Sequence, residues 1–258
     1  IANVVDGPPL DSSVPSQGRG PITALLLCGP NSRGLSETLR SWCDSVGADD
    51  RLYLLDRGLG PLPALPPPFP DDSAVQVLSL GEGSHSAEAL LLAGLDRVEG
   101  DRVLLLSPGV LLTPSTLARL SAALDAHPGL AAVGPVSDSA PGPQNLAAQN
   151  VDLVGVSNLG ELAELLGGRD APAREVEGLS PDCLLLRSDA LRAAAQEEGD
   201  AFFASRGYRL PQAVRSIGGA LGLVPQALVG SVPRDPSEGR IGLRTARQRA
   251  ANHLWEET

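Results

Sequence analysis

Side chains that could do chemistry are sparse in this sequence of 258 residues, and the most suggestive group lies where an apolar run breaks. Residues 103–106, Val-Leu-Leu-Leu, are short enough and apolar enough for a buried strand. Ser107-Pro108-Gly109 ends that run before a second one, 110–112, leads into Thr113-Pro114 and a helix. Open α/β sheets bind ligands in crevices outside the carboxyl ends of such strands, so Ser107 and Gly109 are candidate ligand contacts. Asp56 closes another apolar run, where a carboxylate accepts hydrogen bonds from a ribose or a base N–H. The same residue also suits a turn capping Gly58. Asp200 is the weak remaining candidate for a catalytic base. Arg206, Arg209 and Arg215 cluster in sequence and could grip a diphosphate through bidentate guanidinium contacts, although the same spacing suits a solvated helix face.

Several other chemistries find no support. His85 follows Gly81-Glu82-Gly83 at the start of a helix, but this partial dinucleotide fingerprint lacks its third glycine and follows the third strand instead of the first. No two of the three histidines have metal-ligand spacing, and no Gly-X-Ser-X-Gly elbow is present. Cys28, Cys43 and Cys183, an odd number set in apolar runs, read as reduced, buried thiols of a cytoplasmic protein. The net charge of −11 argues against nucleic acid as a partner, because phosphate backbones are bound by concentrated positive charge. No apolar stretch approaches the roughly 20 residues of a transmembrane segment. The chain lacks Met and starts at Ile1, so it is expected to be a segment of a longer protein.

Positioning falls to an alternation of strands and helices. Residues 1–20, rich in Pro, Ser and Gly, read as an arm or linker. Strands are expected at 22–28, 51–55, 74–80, 103–106 and 130–133, with helices after the first, third and fourth of them and a proline-dense surface loop across 61–70. Asp49 and Asp50 are expected in a polar turn, and Thr113 with Pro114 at a helix start. Such alternation predicts right-handed crossovers and a largely parallel sheet. Downstream, 151–156 reads as a strand, 158–166 as a helix, 183–186 as a strand followed by a Ser188-capped helix, and 221–224 with 227–229 as two short extended pieces around Pro225. Residues 233–258 read as an Arg-rich terminal helix with a weak apolar stripe. That stripe suits docking on its own domain or on a protein partner.

The order of these pieces resembles the GT-A fold of family 2 glycosyltransferases. The resemblance rests on 22–42 with its LSETLRSW helix, on Leu54-Leu55-Asp56-Arg57-Gly58, on GLDRVEGDRVLLLSPGVLLTP at 94–114, and on VGPVSDSAPGPQN at 133–145. It implies an α/β fold with a mostly parallel sheet flanked by helices over 21–232, divided into a nucleotide-binding half, 21–134, and an acceptor-side half, 135–232. It also implies a nucleotide-sugar ligand contacted at Asp56, Ser107, Gly109 and Pro30. Family members end the central strand in a paired-carboxylate motif that holds a divalent cation against the diphosphate, and here those positions read Ser107-Pro108-Gly109. The acidic base motif falls near 207–212, Gly-Tyr-Arg-Leu-Pro-Gln, which holds no acid, and the terminal His falls at Ser231. The resemblance thus implies a bacterial-type domain with no divalent metal cofactor, either a catalytically inactive or metal-independent nucleotide-sugar-binding domain of a larger assembly. The alternative is an active transferase acting on a polysaccharide, lipid or protein acceptor.

Overall fold

The computed structural model describes residues 20–29, 32–57, 75–80, 87–152, 156, 158–198 and 210–232. The expected arm and the expected terminal helix lie outside those residues, apart from Gly20. Three runs nearly free of polar residues form the middle of one sheet: β1 (Thr23–Cys28), β4 (Arg102–Leu106) and β8 (Cys183–Arg187). Strands buried on both faces need no alternation, which is why these read as continuous apolar runs. Around them lie β2 (Arg51–Asp56), β3 (Val75–Leu78), β5 (Val110–Leu112), β6 (Leu130–Ser137), β7 (Arg174–Glu175) and β9 (Ala220–Ser231). The sheet order is β3-β2-β1-β4-β8-β6-β9-β5, with β7 also paired to β9. Strands β3, β2, β1 and β4 run parallel, as do β6 and β9, so parallel pairing makes up most of the ladder. The exceptions are β8, antiparallel between β4 and β6, and the short β5 and β7 against β9.

Helices cover both faces. On one, α1 (Leu35–Cys43) and α3 (Thr116–Ala126) bury Leu35, Leu39, Trp42, Leu117, Leu120 and Leu124 against the side of the sheet that carries Leu26, Leu54 and Leu104. On the other, α2 (Ala87–Leu95), α5 (Ser188–Glu198) and α6 (Leu210–Ser216) bury Leu90, Leu191 and Val214 against Leu25, Leu55 and Val103. Helix α4 (Leu159–Gly167), capped by Asn158 accepting from the Glu161 N–H at 2.9 Å, packs Leu162 and Leu166 on Val136, Leu223 and Leu228. The result is the expected α/β architecture, a mostly parallel central sheet flanked by helices.

Several local expectations give way to tertiary structure. The two extended pieces around Pro225 are one strand of 12 residues. Its register against β6 jumps from Pro135↔Val224 to Val136↔Leu228, a bulge that takes in the proline's missing N–H. The polar groups of the bulge find partners, since Arg119 donates to the Gln226 carbonyl and Gln226 Nε2 to the Arg169 carbonyl at 3.0 Å. The expected strand at 130–133 runs on through Gly134 and Pro135 to Ser137. A Cβ at Gly134 would stand 2.7 Å from Gln144 Nε2, so the Gln144 side chain, which donates to the Pro135 carbonyl, would have to shift. Residues 151, 152 and 156 lie in no strand, and the helix expected from Thr113 begins at Thr116. Asp50 is not in a solvated turn: it is 2% exposed and accepts from the Ile22 N–H at 2.9 Å and the Gly47 N–H at 2.7 Å, tying the start of β1 to the turn before β2.

Candidate functional site

Parallel pairing brings the carboxyl ends of β1, β2, β4, β6 and β9 to one end of the sheet, with the starts of β5 and β8 beside them. That end gathers Asp56 and Arg57, the Ser107-Pro108-Gly109 turn, Asp138, Asp182, Ser231 and Val232. Asp56 stands half-buried in register with Cys28, so it lies in the seam between β1 and β2. Pro30, Asp200, Gly58, His85, Arg206 and Arg209 lie outside the described residues. Arg215 lies in the last turn of α6 next to the start of β9, at the opposite end of the sheet, and donates to the Glu177 carbonyl at 2.9 Å. It therefore has no part in this crevice.

The Ser107–Gly109 turn is held on every side. Ser107 donates its N–H to the Asp182 carbonyl at 2.8 Å, and its own carbonyl accepts from Val110 at 3.3 Å. Gly109 donates its N–H to Thr38 Oγ1 at 2.8 Å, and its carbonyl accepts from Val232 at 2.8 Å. Pro108 has no N–H to give. Both backbone donors of the turn are thus spent inside the protein, whereas a backbone anion cradle needs its N–H groups directed at the ligand. Gly109 has φ +90°, and a Cβ there would lie 3.3 Å from the Arg33 carbonyl. Gly34, with φ +76°, sits directly beneath: a Cβ on it would stand 2.7 Å from Gly109 Cα and 2.9 Å from Val232 Cγ2.

Helix α1 supplies part of this lock. Thr38 Oγ1 donates to the Gly34 carbonyl at 3.0 Å while accepting from Gly109, and Ser41 Oγ accepts from the Leu112 N–H at 3.1 Å. The two hydroxyls, three residues apart on one helix face, occupy the N–H groups of Gly109, just before β5, and of Leu112, at its end. The polar residues in LSETLRSW therefore have a structural use that their spacing alone does not announce.

Sequence reasoning missed Asp138. It follows β6 directly, is 7% exposed, and accepts from Ser231 Oγ at 2.8 Å and from the Ser231 N–H at 3.2 Å. Burial raises its carboxyl above the ordinary carboxylate range, partly offset by the hydrogen bonds from Ser231 and Ser139. A carboxylate immediately after eight buried residues was the available signal. The folded chain holds this proton more tightly than the unfolded chain. Between the ordinary carboxylate value and the raised one, stability contributed by Asp138 falls as pH rises, and above the raised value the loss is complete. In Asp138→Asn, which keeps an acceptor for Ser231 Oγ, that dependence disappears. Urea midpoints measured from pH 4 to 7 should show the wild-type chain losing ground to the variant as pH rises, and a constant difference would refute the assignment.

The thiols are inert. Burial, and next the Asp56 charge, pushes Cys28 up to about 12, while burial, and next Asp182, pushes Cys183 up to about 12. Cys43 is raised as well, first by burial. All three stay protonated at neutral pH, which disfavours both nucleophile and metal-ligand roles.

A divalent cation, which the resemblance would place at the end of β4, does not fit the residues there. Hard cations take several oxygen ligands, carboxylates foremost. Ser107 and Gly109 bring a single hydroxyl between them, the Gly109 carbonyl is engaged by Val232, and both Asp138 oxygens are engaged by Ser231. Among the described residues no group of three or more His, Cys, Asp or Glu side chains is placed to hold a metal ion. None of the described helices is long and apolar enough to cross a membrane.

The mostly parallel sheet, with β8 antiparallel inside it, β5 and β7 antiparallel beside β9, and helices on both faces, matches the fold of the GT-A glycosyltransferases. Among solved structures, the crystal structure of GalNAc-T7 with UDP, GalNAc and Mn2+ matches 84% of this chain and 45% of its own, with TM-score 0.58 and 11% identity. The structure of S. aureus TarS 1-349 matches 79% of this chain and 58% of its own, with TM-score 0.47 and 10% identity. The chain thus spans about half the length of these structures, and at 11% identity the likeness to the first is one of fold. No family profile and no curated protein matches the sequence.

Proposed function

We propose that this chain is a family 2-like glycosyltransferase domain that has given up metal-dependent transfer and serves as a nucleotide-sugar-binding domain within a larger protein or assembly. One observation carries the reading: the turn at the end of β4 has no carboxylate, has both N–H donors spent on Asp182 and Thr38, and is wedged between Arg33, Gly34 and Val232. Electrostatic stabilisation of the leaving diphosphate is usually the largest catalytic contribution, and a cation held at this turn is the usual source of it in the fold that the chain resembles. The seam between β1 and β2, by contrast, keeps Asp56 at the sheet's carboxyl edge, where it suits a ribose hydroxyl or a base N–H. Nucleotide recognition and metal-dependent transfer are therefore separable here, and the first is the one retained.

Calorimetric titration of the purified domain with UDP, GDP and dTDP, each with and without manganese, tests the reading. One nucleotide is expected to bind at about micromolar affinity, to the same extent in both conditions. Binding that requires manganese, or sugar transfer stimulated by it, would overturn the loss of metal-dependent chemistry. Absence of binding to all three would overturn the nucleotide assignment.

A further inference from the structure

We infer that Arg57 supplies the cationic contact for the phosphates of a nucleotide seated at the ends of β1 and β2, taking the place of a divalent cation. The inference rests on the nucleotide-binding reading above and adds the group that would neutralise the ligand's charge.

Arg57 directly follows β2, and its N–H donates to the Cys28 carbonyl at 3.2 Å, which pins the residue to the seam between β1 and β2. Its Nε atom is buried and has no hydrogen-bond partner. A buried guanidinium N–H without an acceptor is costly, and such a group in a native fold calls for an explanation. An anionic ligand in the crevice provides one, because a guanidinium fork matches phosphate oxygens and stays charged at every relevant pH.

The surroundings narrow the choice of ligand. Among the described residues at this end of the sheet, in the turns after β1, β2, β3, β4, β6 and β9 and in the turn entering β8, the basic side chains are Arg33 and Arg57. Arg33 is exposed, and its carbonyl is the group that crowds Gly109. The other charges at the strand ends, Asp56, Asp138 and Asp182, repel an anion. Among the described residues, Arg57 is thus the one partly buried cation at these strand ends. Its neighbour Asp56 is a hydrogen-bond acceptor, so consecutive residues offer one site for hydroxyl or N–H donors and one for an anion. A nucleoside phosphate carries both kinds of group within one molecule.

The test compares the wild-type chain with Arg57→Ala, Arg57→Lys and, as a control at the far end of the sheet, Arg215→Ala. Each is titrated in the absence of divalent metal with the preferred nucleoside diphosphate, with the matching nucleoside, and with inorganic pyrophosphate. Urea midpoints confirm that each variant is folded. Arg57→Ala is expected to weaken the diphosphate and pyrophosphate by roughly tenfold to a hundredfold, the range for losing one charge-assisted contact, while leaving the nucleoside unchanged. Arg57→Lys should recover part of the loss, and Arg215→Ala should match wild type. Equal weakening of nucleoside and diphosphate, or no weakening of either, would overturn the role of Arg57 while leaving nucleotide binding intact. Wild-type binding of pyrophosphate that Arg57→Ala abolishes, with no binding of any nucleotide, would sustain Arg57 as an anion site and refute the nucleotide assignment. A wild-type chain that binds neither would refute both.

Discussion

Gly34→Ala is expected to cost about 2–5 kcal/mol of folding stability, combining a non-glycine residue at positive φ with overpacking against immovable neighbours. Gly34 has φ +76°, and the added Cβ would meet Gly109 Cα at 2.7 Å, a backbone atom that cannot rotate away. Two control variants separate the two causes. Gly178 has open space around the Cβ position and no positive φ, so Gly178→Ala should stay within about 0.5 kcal/mol of wild type. Gly142, with φ +65° and open space, should show the backbone cost alone, about 1–2 kcal/mol. Urea midpoints for the series give the ranking directly. If Gly34→Ala falls no further than Gly142→Ala, the turn at Gly109 is looser than described and could move to meet a ligand. That outcome would weaken the case that the end of β4 is closed to a metal and a diphosphate.

Trp42→Ala should be the other severe loss, about 3–5 kcal/mol, as is usual when a large buried side chain leaves a cavity. Trp42 is 0% exposed on the inner face of α1, packed with Leu35 and Leu39 in the core beneath β1 and β4. Its Nε1 is buried with no hydrogen-bond partner. Trp42→Phe removes that unpaired donor along with some volume, so the two changes oppose each other and the net cost should be under about 1.5 kcal/mol. A Trp42→Phe cost equal to that of Trp42→Ala would mean that the indole N–H is satisfied in solution. The helix matters to the site because it carries Thr38 and Ser41 to β5. Loosening α1 should therefore also release the Gly109 and Leu112 N–H groups, readable as faster amide hydrogen exchange at those two positions.

Much of the architecture follows from local pattern. Residues 24–28, 103–106 and 183–186 are apolar without alternation, which only a strand covered on both faces needs, and helices α1, α3 and α4 carry their apolar residues at helical spacing. The lack of carboxylates at Ser107-Pro108-Gly109 was equally plain, because which donors a turn contains is a property of composition. What local pattern could not settle involves partners far away in sequence. Pro225 reads as a break, yet Arg119 and Arg169 meet the polar groups of the bulge and β9 continues past it. Asp50 reads as a surface turn, yet the start of β1 needs an acceptor for the Ile22 N–H. Asp138 gained its raised carboxyl only when folding buried it at the end of β6, with Ser231 of β9 partly offsetting the rise, and Arg57 became a candidate only when its Nε was enclosed without an acceptor. The sequence by itself determined the α/β class and the absence of metal-binding carboxylates at the end of β4, since periodicity and composition are local. Only the tertiary structure decided that the same turn has no N–H left to offer, because Thr38 and Asp182 reach it from two other segments of the chain and accept both.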